Sequence, residues 1–210
     1  MAVSRTQYIY EQLDLMFPQA GCELNYGSLF QLAVAVTLSA QTTDVSVNRV
    51  TRELFARYPD PESLAQADIK DLEAIIRSIG LYRNKAANIK ALARELVENH
   101  NGEVPDTMEE LVKLPGIGRK TANVILSEGY KVPAIAVDTH VHRVSIRLRL
   151  AGENDTVEKV EEKLMEQFPR EQWSHLHHLL IHFGRYRCQA RKPQCEGCPF
   201  TDFCRCQADK

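Results

Sequence analysis

Apolar residues recur at three- and four-residue spacing along almost the whole chain, and this period constrains the fold more than any other feature. Ile9, Leu13 and Met16 form one stripe, opened by Ser4 and closed by Pro18. Ser28 opens an almost wholly apolar segment, Leu29 to Leu38, which reads as a helix buried on all sides. Its exit, Ser39-Ala40-Gln41-Thr42-Thr43-Asp44, is abruptly polar. Val45 to Phe55 resumes the helical period up to Pro59, and Leu72, Ile75, Ile76 and Ile79 make a stripe ended by Gly80. Further helices are predicted over Lys85 to Val97, Met108 to Lys113 (capped by Asp106 or Thr107), and Arg119 to Glu128. Others follow over His140 to Leu150, from Thr156 to Phe168, and Trp173 to Phe183, with Val132 to Val137 extended or loop. No convincing run of residues alternates as strands do, so the class is all-α. No low-complexity linker interrupts the chain, so a domain boundary is a bend, expected near Gly21 and Pro133.

The 210 residues suit one large domain or two small ones. With 44% hydrophobic and 26% charged residues, composition excludes a disordered, collagen-like or repeat-biased chain. Met1 to Tyr10 has no apolar signal-peptide core, and Leu32 to Leu38 falls far short of the roughly 20 residues a bilayer span needs. A cytoplasmic location is therefore expected, with no membrane partner.

The net charge of −2 hides a local asymmetry. From Leu111 to Leu150 the bases are Lys113, Arg119, Lys120, Lys131, Arg143, Arg147 and Arg149, against only Glu128 and Asp138. Leu81 to Arg94 carries Arg83, Lys85, Lys90 and Arg94 with no acid, while Glu153 to Glu171 is acidic. A basic face with an acidic back is the electrostatic footprint of phosphate binding.

Leu114-Pro115-Gly116-Ile117-Gly118 lies between two of the predicted helices. Two glycines one residue apart permit a sharp turn and expose backbone N–H groups, and the next helix adds its positive end. Thr121 adds a hydroxyl nearby. A plain helical hairpin fits this pattern, and so does a grip on a nucleic-acid backbone, which the segment charge favours. A P-loop is excluded, because Lys120-Thr121 follows Arg119 rather than glycine and no strand precedes it.

Lys120 falls in the first turn of the following helix. A free lysine, with a pKa of about 10.4, is a poor nucleophile near neutrality. A helix N-terminus and burial both push toward the neutral amine, whereas a nearby Asp138 pulls the other way. A phosphate contact and an imine-forming nucleophile both fit Lys120. Asp138 stands where an N-cap belongs, and capping is compatible with catalysis.

Five of the six cysteines crowd into Cys188 to Cys206, which in a cytosolic chain points to a metal or cluster site. Cys188, Cys195, Cys198 and Cys204 are separated by six, two and five residues, a spacing able to ligate zinc or a [4Fe–4S] cluster. Only one Cys-x-x-Cys pair is present, which favours the cluster. Arg185, Arg187, Arg191 and Lys192 surround the first loop and suggest a DNA contact rather than an electron carrier. Cys206 reads as a bystander and Cys22 as a small core residue. His175, His177, His178 and His182 share one helix and read as packed or hydrogen-bonded, while His140 and His142 line the surroundings of Asp138.

Taken together, Leu38 to Asp44, Ile79-Gly80-Leu81-Tyr82-Arg83, Leu114 to Ala122, Ala136-Val137-Asp138-Thr139-His140 and the cysteine spacing resemble the bacterial endonuclease III family of helix–hairpin–helix DNA glycosylases. The resemblance covers essentially the whole chain. It implies two helical domains flanking a DNA-binding cleft: residues 22–132 as a helical barrel with the hairpin, and 1–21 plus 133–210 carrying one [4Fe–4S] cluster. It implies a bifunctional glycosylase and abasic-site lyase that flips a damaged pyrimidine from duplex DNA. Lys120 would attack C1′, and Asp138 would stabilise charge and relay protons. Gln41 and Leu81 look like the family's residues that fill the gap and wedge the stack. Gly116, Gly118, Arg119, Thr121, His140, Arg143, Arg187, Arg191 and Lys192 are the expected DNA contacts, and Cys188, Cys195, Cys198 and Cys204 the cluster ligands. A monomer associated with the nucleoid is expected. The related adenine glycosylases lack a lysine at the Lys120 position and carry a catalytic glutamate in the helix before the Gln-Thr turn. Here Leu29 to Leu38 holds no acid. An 8-oxoguanine lyase shares the lysine and aspartate and is set apart mainly by the cysteines. Outside the superfamily, a non-catalytic DNA-binding module, an electron carrier and a zinc-ribbon protein are the competing classes.

Overall fold

The computed structural model describes residues 4–208, and among these every regular element is helical. The chain forms two compact units, one spanning Glu23–Val132 and the other joining the chain up to Cys22 with the chain from Pro133.

The unit spanning Glu23–Val132 is built around α2 (Leu29–Leu38). Ser28 caps this helix by accepting from the Gln31 N–H, and Leu32 through Leu38 are all buried. A helix apolar on every face must be surrounded. α3 (Asp44–Arg57), α6 (Tyr82–Asn99) and α8 (Arg119–Val124) pack against it. α4 (Pro61–Gln66) and α5 (Ile69–Ile75) lie on α6, and α7 (Met108–Leu111) meets α8. The sequence reading has no counterpart for α4. Its six residues are too few to show a period, although Asp60 forms a capping box with Ser63 and Pro61 sits at the first helical position. Thr107, not Asp106, caps α7.

The predicted helix over Arg119 to Glu128 changes pitch midway. After Val124 it continues as a wider π-turn, Ile125–Gly129. A Cβ on Gly129 would lie 2.6 Å from Leu29 Cδ2, so this turn is pressed against α2.

The other unit contains α1 (Arg5–Met16), α9 (Thr139–Arg147), α10 (Val157–Gln167), α11 (Trp173–His182) and α12 (Arg205–Ala208). Ile9 and Leu13 of α1, Val141 and Val144 of α9, Val160 and Leu164 of α10, and Leu176 and Leu180 of α11 make its core. Phe200, from the cysteine-rich loop, is fully buried in the same core. α11 also ends in a π-turn, Phe183–Arg187, which delivers the chain to Cys188. Such turns recur at functional sites, and periodicity does not reveal them. Cys22 is half-buried rather than a core residue. Among the described residues no helix is long and apolar enough to cross a membrane.

Candidate active site

In the Glu23–Val132 unit, Leu114 and Ile117 are buried and pin the hairpin turn, whose Ile117 N–H donates to the Leu114 carbonyl at 3.1 Å. The two glycines between and beside them do different work. Gly116 has φ +78, and a Cβ there would lie 3.0 Å from Thr37 and 3.1 Å from Asn88. Conformation and packing both demand glycine. Gly118 has φ −98, and an added Cβ would meet nothing within 4 Å. It is the N-cap of α8, has no side chain to cap with, and faces open space. Arg119 is exposed beside it, and Lys120 and Thr121 are half-buried in the first turn.

Two loops of the same unit carry exposed side chains on unusual backbone. Gln41 has φ +53 and Leu81 has φ +57, the left-handed region that side chains other than glycine rarely occupy. Leu81 is 62% exposed, an uncommon fate for a leucine this close to a core. Neither feature has a sequence signal of its own, because the residues are not glycine or asparagine.

In the other unit, Asp138 caps α9. Its Oδ1 accepts the backbone N–H groups of His140 and Val141, each at 2.8 Å. Its Oδ2 lies 2.9 Å from His140 Nδ1. His142 is used differently: its Nε2–H donates to the Asp155 carbonyl at 2.9 Å, tying α9 to the loop before α10. His175 pairs with Asp14, His177 donates to the Ala136 carbonyl and His182 to that of Gly21.

Cys188, Cys195, Cys198 and Cys204 line one cavity. Cys206 lines it too. Cys188, Cys195, Cys198 and Cys204 are free thiols. Burial pushes the Cys188 thiol up, and the Arg147 and Arg143 guanidiniums partly offset this; burial pushes Cys204 up as well. Among the described residues no three metal-ligating side chains converge on a single-ion position. Four thiols lining one cavity are a donor set that an iron–sulfur cluster can use.

The loop holding them is strapped to α9 by arginines. Arg147 Nη1 donates to the carbonyls of Cys188 (3.3 Å) and Gln189 (2.8 Å) and lies 3.2 Å from Cys188 Sγ. Its Nη2 donates to the Ala190 carbonyl. Arg143 Nη2 reaches the carbonyls of Gly184 and Cys188, and Arg149 Nε that of Phe203. All three belong to the basic segment Leu111 to Leu150, and each also donates to a backbone carbonyl between Gly184 and Phe203. Arg187 Nη2 donates to the Glu196 carbonyl within that loop, while Arg191 and Lys192 are exposed.

Comparison with known proteins agrees with these features. Residues 34–170 match the model of the HhH-GPD superfamily of base excision DNA repair proteins, and residues 188–204 match the iron–sulfur binding domain of endonuclease III. The chain belongs to this superfamily of repair proteins. Endonuclease III of Bacillus subtilis is 51% identical over 203 residues, which is 97% of this chain and 93% of that one. Endonuclease III of Escherichia coli K12 is 48% identical, covering 89% and 88%. A solved structure of a trapped endonuclease III–DNA covalent intermediate superimposes with a TM-score of 0.94 at 50% identity, covering 99% of each chain. Within the superfamily the chain is a member of the endonuclease III family, an enzyme with DNA glycosylase and abasic-site lyase activity and an iron–sulfur binding domain.

Proposed function

We propose that this enzyme removes oxidised pyrimidines from duplex DNA through a Schiff base on Lys120. The observation that carries this reading is the position of Lys120, half-buried in the first turn of α8 and two residues beyond the open, uncapped Gly118. An anionic backbone phosphate at Gly118 would set the sugar within reach of the lysine.

The neutral Lys120 amine attacks C1′, forming a C–N bond as the glycosidic bond breaks and the base leaves with its electron pair. Loss of a proton from nitrogen and opening of the ring give the imine. The imine acidifies the C2′ proton, whose removal expels the 3′ phosphate and cuts the strand by β-elimination. Asp138 stabilises positive charge at the sugar and relays protons. Capping holds its Oδ1 in place and leaves Oδ2 to His140.

Gln41 and Leu81 fill the space left by the extruded nucleotide. Gly116, Gly118, Arg119, Thr121, His140, Arg187, Arg191 and Lys192 contact the DNA, and Arg143 supports that surface from within. Cys188, Cys195, Cys198 and Cys204 hold one [4Fe–4S] cluster, which organises the loop carrying Arg191 and Lys192. The enzyme acts as a monomer on nucleoid DNA in the cytoplasm.

Borohydride trapping on a duplex with one thymine glycol tests the reading, with Lys120→Gln as control. A covalent adduct that the control lacks is the expected result. Base release without an adduct would overturn the imine, and an adduct with Lys120→Gln would overturn the lysine.

A further inference from the structure

Lys85 is only 5% exposed. A buried ammonium is costly unless it is paired. Its Nζ donates to Thr42 Oγ1 at 2.6 Å, and burial pushes its pKa down. The partner's place in the chain gives the contact its meaning. Thr42 directly follows Gln41, and its hydroxyl donates in turn to the Ala40 carbonyl at 3.4 Å. The Thr42 N–H closes the same turn on the Ser39 carbonyl at 3.0 Å. One ammonium thereby braces the residues on both sides of Gln41.

Lys85 also belongs to the first turn of α6, and its backbone N–H donates to the Leu81 carbonyl at 3.0 Å. Gln41 and Leu81 are both exposed and both left-handed, with φ +53 and +57. Strain of this kind persists only where the surroundings over-determine the backbone. Lys85 is the residue whose side chain reaches the Gln41 turn while its backbone holds Leu81.

We propose that Lys85 is a positioning residue that fixes Gln41 and Leu81 as one unit, so that both enter damaged DNA in a set register. This rests on the reading that these two residues enter the duplex. Lys85 touches no reacting atom. It acts through the Thr42 hydroxyl, and a methionine of similar length would fill the same space without directing anything.

The test compares Lys85→Met, Thr42→Val, their double variant and Thr42→Ser on two substrates. One is a duplex with 5-hydroxycytosine opposite guanine, whose base must be unstacked; the other carries a preformed abasic site, where unstacking costs least. A third duplex carries 2-aminopurine opposite a tetrahydrofuran abasic analogue, and its fluorescence reports insertion into the stack. We expect Lys85→Met and Thr42→Val each to slow base excision about tenfold and reduce the 2-aminopurine signal, while abasic-site cleavage falls less than about threefold. Thr42→Ser should behave as wild type, and the double variant should be no worse than either single one. Equal losses on both substrates, or additive losses in the double variant, would overturn the proposal. Thr42→Val leaves Lys85 intact and supplies the answer if Lys85→Met fails to fold. Gln41→Ala and Leu81→Ala separate the two levels. Wild-type excision by both removes the underlying reading and this proposal with it. Slow excision by both, with Lys85→Met and Thr42→Val at wild-type rates, removes this proposal alone.

Discussion

Asp138 gives its two carboxylate oxygens different work: Oδ1 accepts two backbone N–H groups of α9, while Oδ2 lies 2.9 Å from His140 Nδ1. Capping and chemistry can therefore be separated by substitution. Asp138→Asn keeps an acceptor for the cap and should cost under about 0.5 kcal/mol, whereas Asp138→Ala should cost about 1 kcal/mol. Both should lower turnover by about 10²-fold, the usual worth of a proton-transferring side chain. Urea denaturation and single-turnover strand cleavage measure the two effects. Asp138→Asn with normal turnover would reduce Asp138 to a helix cap.

The hairpin glycines should separate in the same way. Gly116→Ala places a Cβ 3.0 Å from Thr37 at φ +78, and should destabilise the fold by about 1–2 kcal/mol. Gly118→Ala meets nothing within 4 Å and should leave stability within about 0.5 kcal/mol. It should weaken duplex binding about tenfold, because the added Cβ holds a phosphate off the backbone N–H groups and so removes about the lower worth of a hydrogen bond to a charged group, and leave the salt dependence unchanged, because no cation is lost. Thermal melts and fluorescence-anisotropy titrations at two salt concentrations decide this. Normal DNA affinity in Gly118→Ala would place the phosphate elsewhere.

Arg147 makes its contacts to the Cys188–Ala190 backbone and to Cys188 Sγ from one guanidinium. Arg147→Met keeps much of the side-chain volume and removes all of them, which should cost about 1–3 kcal/mol locally. The expected result is faster loss of visible cluster absorbance under a chelator and lower iron content in the purified protein. Unchanged loss kinetics would mean that the cysteine ligands alone hold the loop.

What the sequence made legible follows from which features leave a pattern in one dimension. The almost wholly apolar Leu29–Leu38 helix, its Ser28 cap, the Gly116-x-Gly118 turn and the four cysteines are all local signals, and the structure has the helix, the turn and the shared cavity where the residues put them. α4 was illegible because six residues hold less than two turns. The π-turns at Ile125–Gly129 and Phe183–Arg187 leave the apolar period nearly unchanged and so escape it. That Arg143 and Arg147 both bond the Cys188 carbonyl was not legible, because residue type records a charge and not its direction. The left-handed backbone at Gln41 and Leu81 falls on residues that are neither glycine nor asparagine, and the bond from the buried Lys85 to Thr42 joins residues 43 apart in sequence.

Lys85 also predicts a pH dependence of stability. Burial lowers its folded-state pKa below that of the unfolded chain, about 10.4. Below the folded value both states carry the proton, and the buried charge is a constant cost to the fold. As pH rises from the folded value toward about 10.4, the folded state releases its proton first and the cost is relieved. Wild type should therefore gain stability relative to Lys85→Met across that alkaline window, while the difference between them stays level near neutrality. Urea denaturation of both proteins at several pH values from 7 to 10.5 measures this directly. A difference that is flat throughout would show that Lys85 titrates alike in the folded and unfolded chain and that burial does not shift it.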